Sequence, residues 1–258
     1  MSGPNKTKPG VDKALLIKDA AKLLPEPSRR FFLRGAASLG ALAMLTGCEI
    51  IDGDTSESVL RAISSFNDGA QALLFNPNTL APEYPESMIT RPFPFNAYYS
   101  EDDAPEVDGE KWQLEIGGQV DDKKPWTLAE LNKLPQVSQI TRHVCVEGWS
   151  AIGSWQGVKL SDLLTRIGAD KRAKYVWFRC AEGYSTTIDM PTALHPQTQL
   201  TLQFDHKTLP RAYGFPAKIR IPTKLGFKNP KYITAMWVQN NDGGGYWENQ
   251  GYNWFSGL

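Results

Sequence analysis

A proline removes a backbone donor and cannot sit inside a helix or a central strand without breaking a hydrogen bond. Pro77, Pro82, Pro85, Pro92 and Pro94 therefore exclude regular structure from Asn76 to Pro94, and an extended segment wrapping the rest is expected there. The whole chain carries 18 prolines, 22 glycines and 8 tryptophans in 258 residues, which points to a loop-rich, β-containing protein rather than a helical bundle. Between these breaks, Trp112–Ile116, Gln136–Val146, Lys174–Cys180, Tyr184–Ile188, Leu200–Phe204, Ala217–Ile221 and Ile233–Gln239 read as strands. Helical spacing appears in Glu49–Leu80, in Leu128–Lys133 behind a Thr127 cap, and in Val158–Ile167, where Leu160, Leu163, Leu164 and Ile167 share a face. Pro191–Pro196 reads as a short turn or helix, and the glycine-rich tail from Gly243 as a closing arm. No repeat is present, and short helices among mixed strands predict one α+β domain with a mixed sheet.

Lysine plus arginine equals aspartate plus glutamate, 28 each, so no global field favours nucleic acid or an acidic partner. The first residues read as an address rather than as fold. Ser28-Arg29-Arg30-Phe31-Phe32-Leu33-Arg34 is a twin-arginine signature, and the apolar run from Gly35 to Leu45 is too short to span a bilayer. Leu45-Thr46-Gly47-Cys48 then resembles a lipoprotein cleavage box. Residues 1–48 are accordingly expected to be an export signal, with Cys48 lipidated and the protein tethered in the bacterial periplasm or cell envelope. Residues 49–90 would form a helical tether and the proline-rich segment, and residues 91–258 the functional domain.

With Cys48 lipidated, two thiols remain in an oxidising compartment, Cys145 and Cys180. They could pair as a disulfide, or Cys145 could be held as a thiolate by a metal, which deprotonates a coordinating thiol. Cys145 ends a β-type run within Arg142–Trp155, and Gly148, Trp149, Gly153 and Trp155 suit a loop walling a flat, buried ligand.

Five blocks, in order, carry a family resemblance. They are Cys145-Val146-Glu147-Gly148-Trp149-Ser150 with Trp155-Gln156-Gly157-Val158; Leu194-His195-Pro196; Leu209-Pro210; Gly214-Phe215-Pro216-Ala217-Lys218-Ile219-Arg220-Ile221-Pro222; and Gly226-Phe227-Lys228 with Lys231. Together, over roughly residues 90–240, they resemble the molybdopterin-binding domain of the sulfite oxidase superfamily. They are most similar to its bacterial periplasmic branch, which includes the protein-methionine-sulfoxide reductase catalytic subunits. The resemblance implies a sulfite-oxidase-type mixed-sheet fold and a molybdenum cofactor with one pyranopterin, its metal bound by Cys145.

It also implies that an Asn-x-x-Tyr loop, here Asn96 and Tyr99, lies on the cofactor, with Ser100 standing where the branch has a glutamate. Cys180 stands where it has a threonine near the pterin. Tyr213 and Lys218 occupy positions resembling an asparagine and an arginine on the phosphate side. Lys231, with Asn229 beside it, corresponds to a phosphate-contacting lysine, and Lys224 and Lys228 add cations to the same stretch. His195 is expected near the cofactor. The C-terminal dimerisation domain of sulfite oxidases is not expected here, so a monomer is.

The activity implied is an exported, molybdenum-dependent oxidoreduction, with oxygen-atom transfer as its leading form. Sulfite oxidases place an arginine pair soon after the metal-binding cysteine; Val146-Glu147-Gly148-Trp149 replaces it here, so a neutral sulfoxide-like small molecule is the expected substrate. Electrons would come from a haem protein or a quinol-linked membrane subunit. A cofactor-free binding lipoprotein that retains the fold is the alternative. Replacing Arg29 and Arg30 with lysines is expected to leave the protein in the cytoplasm in a fractionation experiment; normal export of that variant would refute the signal.

Overall fold

The computed structural model describes residues 53–258, so Arg29, Arg30 and Cys48 lie outside the described residues. Apart from the start of helix α1 (Gly53–Leu74), everything below lies in one compact unit, Leu60–Leu258. Ten strands are distributed over two sheets in that unit. In chain order they are β1 (Gln113–Gly118), β2 (Trp126–Thr127), β3 (Val137–Val144), β4 (Ser150–Lys159), β5 (Tyr175–Cys180), β6 (Ser185–Asp189), β7 (Gln199–Phe204), β8 (Lys207–Thr208), β9 (Lys218–Arg220) and β10 (Ile233–Gln239). The first sheet runs β2-β1-β10-β5-β6 and is mixed, because β1 and β10 pair parallel. The second runs β3-β4-β7-β8, with β9 added antiparallel on β7. The α+β class expected from the sequence is thus realised as two sheets rather than one.

Three short helices follow their sequence signals. Helix α2 (Leu128–Asn132) starts with a capping box: Glu130 N–H donates to the Thr127 hydroxyl, and the Glu130 carboxylate accepts from the Thr127 N–H at 2.9 Å. Such a cap contributes about 1 kcal/mol. Helix α3 (Leu160–Arg166) buries Leu160, Leu163 and Leu164 completely, and α4 (Met190–Leu194) has proline in its first turn. These apolar faces meet Leu114, Ile116, Val176, Phe178, Leu200 and Met236 from both sheets in one continuous core.

Helix α1 touches this body on one side only. The Asp68 carboxylate accepts from Phe255 N–H at 2.8 Å, and the Phe75 ring just beyond the helix stands edge-on to Phe255 at 5.6 Å. Leu60, Ile63, Phe66, Leu73 and Leu74 on its other side are exposed. The proline-rich segment that follows is extended, as expected, except for one 3-10 turn at Glu86–Met88, and pairs by its backbone with the edge of β3: Tyr84 N–H donates to Ile140 O at 3.0 Å, and Glu83 bridges Thr141.

One expectation fails here. The loop anticipated after Cys145 is only a turn, because residues from Ser150 onward form β4, paired antiparallel with β3 along its length. Gly148, at φ 92°, supplies the left-handed conformation that closes the turn. Its N–H donates to Cys145 O at 3.1 Å, while Cys145 N–H donates to Trp149 O at 2.9 Å. Strand β4 is buried on both faces from Ala151 to Trp155, so it lacks the polar–apolar alternation by which half-buried strands are recognised. For the same reason α3 begins after Lys159 rather than at Val158.

The C-terminal arm is held by two buried lysines. Lys224 donates to Phe255 O at 2.7 Å, and Lys228, 1% exposed, pairs with Glu248, 5% exposed. Breaking such a pair leaves a buried charge uncompensated, so Lys228→Ala is expected to cost about 3–5 kcal/mol in denaturant unfolding. A loss below about 1 kcal/mol would show that the arm does not rest on this pair.

Candidate functional site

The alternation of β3 turns Thr141 and His143 inward, and Cys145, one residue past the strand, continues that row; all three are buried. His143 and Cys145 face a solvent-open cavity of about 160 Å³, lined also by the segment Phe93–Tyr99, the Glu182–Tyr184 corner of the β5–β6 hairpin, Lys218 of β9 and the Gly226–Lys231 loop. Cys145 lines it with its thiol 3.7 Å from Glu147 Oε2, which also accepts from Trp149 Nε1 at 3.0 Å. Burial pushes the Cys145 thiol up from its ordinary value, and the Glu147 charge adds to that. The free protein therefore holds a neutral thiol, and a bound metal would have to displace its proton. Cys145 and Cys180 are both free, so the disulfide alternative does not occur.

His143 is the residue that the sequence reading passed over. It is 3% exposed, with Nε2 3.0 Å from Asn96 Nδ2 and with Nδ1 lacking any partner. Desolvation, reinforced by Arg220, Lys218 and Lys231, keeps its imidazole well below the usual histidine value and hence neutral. The Gly226 loop lies directly over this pair: a Cβ on Gly226 would come within 2.6 Å of His143 Nε2 and 3.1 Å of Asn96 Nδ2.

Behind the cavity wall, the fully buried Arg220 guanidinium donates to Asn229 Oδ1 at 2.9 Å, to Thr141 Oγ1 at 3.1 Å and to Arg142 O at 2.6 Å. Asn229 in turn accepts from Ile221 N–H at 2.7 Å and donates to Leu225 O at 3.0 Å. Its polar atoms are thus occupied in shaping the 225–230 loop. Tyr213 is similarly committed, its hydroxyl donating to Phe93 O at 2.7 Å. Lys218 differs from both. It is 4% exposed, lies 4.6 Å above the Trp155 ring, and has no ion-pair partner among the described residues. Desolvation drives its ammonium down from the ordinary lysine value, and Lys231 and Arg220 push the same way. Lys231 is held at about 8 by burial, donates to Ala212 O at 3.2 Å and faces the Phe95 ring.

Asn96, Tyr99, Cys145, Tyr213, Lys218, Asn229 and Lys231 thus line one cavity. Three other expected residues do not. Ser100 faces outward, its hydroxyl donating to Asp103 at 2.6 Å as the chain enters a 3-10 turn. Cys180 ends β5 with its side chain in the hydrophobic core. His195 is 1% exposed and tied to backbone on both ring nitrogens: Nε2 lies 3.0 Å from Thr79 O, and Nδ1 accepts from Gln197 N–H at 3.2 Å. It clamps the proline-rich segment instead of facing the cavity. Lys224 and Lys228 are likewise spent on the C-terminal arm.

The donor set fits a metal that brings its own ligands together with an anion. Among the described residues no cluster of three or more His, Cys, Asp or Glu could hold a bare ion, so one thiolate serves only a metal already chelated. The unpaired Lys218, the unpartnered His143 Nδ1 and the buried, unpartnered Tyr99 hydroxyl are costs the fold carries without a ligand. A flat, phosphorylated, metal-bearing group would relieve them.

Comparison with known proteins agrees with this chemistry. The family described as "Oxidoreductase molybdopterin binding domain" matches residues 101–247. The putative protein-methionine-sulfoxide reductase subunit YedZ1 of Azospira oryzae is 58% identical over 259 residues, covering 98% of this chain and 99% of that one. The protein-methionine-sulfoxide reductase catalytic subunit MsrP of Ralstonia nicotianae is 33% identical over 141 residues, 48% of this chain and 43% of MsrP, so the match spans less than half of that longer protein. The crystal structure of the sulfane dehydrogenase SoxCD from Paracoccus pantotrophus superposes with a TM-score of 0.51 at 18% identity, covering 54% of this chain and 41% of that one, and shows the shared fold.

Lys218→Met should separate the cost of this site from its use. In cofactor-free protein the variant is expected to be more stable than wild type, because an unpaired buried ammonium is removed. The gain should be greatest at low pH and shrink as pH rises, vanishing above the ordinary lysine value, where wild-type Lys218 is neutral in both folded and unfolded chains. Cofactor retention should fall. A variant less stable than wild type at every pH would contradict the unpaired-cation account.

Proposed function

The chain belongs to the oxidoreductase molybdopterin-binding family, and from that premise we propose that it is the catalytic subunit of an exported sulfoxide reductase, binding molybdenum through Cys145 and one pyranopterin. The observation that carries this reading is the Cys145 thiol in a cavity whose far wall holds a buried, unpaired cation, Lys218. The YedZ1-like relative named for methionine sulfoxide reduction supports it.

When bound, the group supplies a two-electron centre able to exchange an oxygen atom. Cys145 would hold the metal as thiolate, and Lys218 with Lys231 would meet the phosphate by charge-assisted hydrogen bonds. Neutral His143 and Asn96 would present donors and acceptors to the pterin, and the Trp155, Phe93 and Tyr213 rings, packed edge to face, would keep that wall dry. The residues after the thiol choose the substrate. Val146 is 46% exposed, Glu147 sits over Cys145, and Arg142 points away onto the Tyr84 ring at 5.3 Å. An acid, and no arginine, therefore flanks the metal position, which disfavours an anion such as sulfite and suits a neutral sulfoxide. The twin-arginine signal and Cys48 support export and lipid anchoring, with electrons delivered by a haem protein or quinol-linked membrane partner to a monomer.

Protein purified from a host competent in cofactor synthesis is expected to contain stoichiometric molybdenum, and to oxidise reduced viologen with a sulfoxide as oxidant faster than it reduces an electron acceptor with sulfite as donor. Metal-free protein from such a host would favour a binding lipoprotein instead. Cys145→Ser should lose turnover by orders of magnitude while unfolding at the wild-type denaturant concentration, because it changes a ligand and not core volume; retained turnover would refute the assignment.

A further inference from the structure

One acid of the cavity is left unexplained by cofactor binding. Glu182 occupies the tight turn between β5 and β6, which is closed by Gly183 N–H donating to Cys180 O at 3.2 Å and fixed to the neighbouring segment by Ala181 N–H donating to Tyr232 O at 2.9 Å. Its neighbours Ala181 and Gly183 are exposed, whereas Glu182 is only half-buried and lines the cavity. Its Oε2 is buried and has no hydrogen-bond partner. The residue thus sits between two exposed neighbours and the cavity, with one carboxyl oxygen buried and without a donor to hold it.

The surroundings leave that carboxyl as the exchangeable proton of this corner. Tyr98 and Tyr99 face it from the segment before Ser100, Tyr232 from the approach to β10, and Cys180 and Tyr184 from its own hairpin. Burial pushes all of these acids up from their ordinary values, so they keep their protons at neutral pH. The Tyr99 and Tyr232 hydroxyls also lack partners, which leaves polar stepping points beside Glu182. Lys231 is the one cation acting on Glu182; it makes no ion pair with it and donates to Ala212 O. Glu248 on the C-terminal arm is turned away into its pair with Lys228. Desolvation places the Glu182 carboxyl at about 7, where acid and base forms are both populated.

We propose that Glu182 is the proton donor of the cavity, handing its proton to the oxygen released from a bound sulfoxide and taking another from solvent through the β5–β6 turn. This rests on the sulfoxide-reductase reading above. In the net step the S–O bond breaks and sulfur keeps the electron pair as a sulfide. Two electrons enter one at a time from the external one-electron donor. The oxygen leaves as water after accepting two protons, each passed by the same carboxyl, which is reprotonated between transfers. Glu182 therefore has to cycle once per proton, which a group held near neutrality does without a large penalty in either direction.

The test uses the molybdenum-loaded full chain and its Glu182→Gln and Glu182→Asp variants, with dimethyl sulfoxide as oxidant and reduced methyl viologen as donor. Wild-type turnover should fall as pH rises through about 7, as the donor loses its proton. Glu182→Gln, with unchanged molybdenum content, should lose about 100-fold at pH 6 and show a flat profile, and Glu182→Asp should restore part of the rate and the slope. Wild-type slope and rate in Glu182→Gln would overturn the proposal, as would loss of molybdenum from that variant, which would make Glu182 a cofactor ligand. A second readout needs no substrate. In an EPR-monitored redox titration, the molybdenum potential of wild type should vary with pH across the neutral range and that of Glu182→Gln should not. If wild type reduces no sulfoxide, the functional reading fails; equal pH dependence of the potential in both proteins would then overturn the proton-donor role independently.

Discussion

The Arg220 guanidinium is the tie on which the geometry of the cavity depends. It is 0% exposed and ties two separate parts of the chain through three partners: Thr141 and the Arg142 carbonyl on β3, and Asn229 in the loop before β10. Those contacts fix the strand that carries His143 and Cys145 against the loop that carries Gly226 and Lys231. A buried arginine costs several kcal/mol in desolvation, which these charge-assisted hydrogen bonds offset only in part, since its Nε has no partner. The fold accepts that cost where one rigid cation can orient several loops at once, as a planar guanidinium does and a lysine does not.

From this tie follows the electrostatic character of the site. Lys218, two residues before Arg220 on the same buried face of β9, and Lys231 across the loop bring positive charge to a region where Glu182 is the acid that acts most on Lys231 and Glu147 guards the thiol. Each lysine is destabilised by burial, and neither carries an ion pair among the described residues. A protein selected for stability alone would not keep them; a protein that binds a phosphorylated cofactor gains from having already lost the water around them. The same preorganisation explains why His143 is neutral, since three nearby cations oppose its protonation; Glu182, half-buried and acted on by Lys231 alone among them, is the group proposed to exchange protons.

Much of this was legible in the sequence where a local rule acts. The capping box at Thr127 and Glu130, the Leu160-Leu163-Leu164 face of α3, and the bounds of β10 all depend on neighbours in the chain. The residues expected at a cofactor that do reach the cavity, Cys145, Lys218 and Lys231 among them, were legible through ordered motif blocks. What was not legible depends on contacts made across the fold. His195 stood in a motif, yet its ring is consumed by Thr79 O, 116 residues away. Lys224 and Lys228 read as phosphate cations because they are close to Lys231 in sequence, but the C-terminal arm returns to claim both. Strand β4 lost its alternation because both faces are covered. His143 carried a usable signal that was passed over: at period two from Cys145 on a strand, it had to share the inward face.

The central claim is that the Cys145 sulfur binds a metal that arrives with ligands of its own. X-ray absorption at the molybdenum edge reads this directly on the purified, loaded protein. The account predicts one more sulfur neighbour around molybdenum in wild type than in Cys145→Ser prepared in the same way. An identical sulfur shell in the two proteins would contradict it.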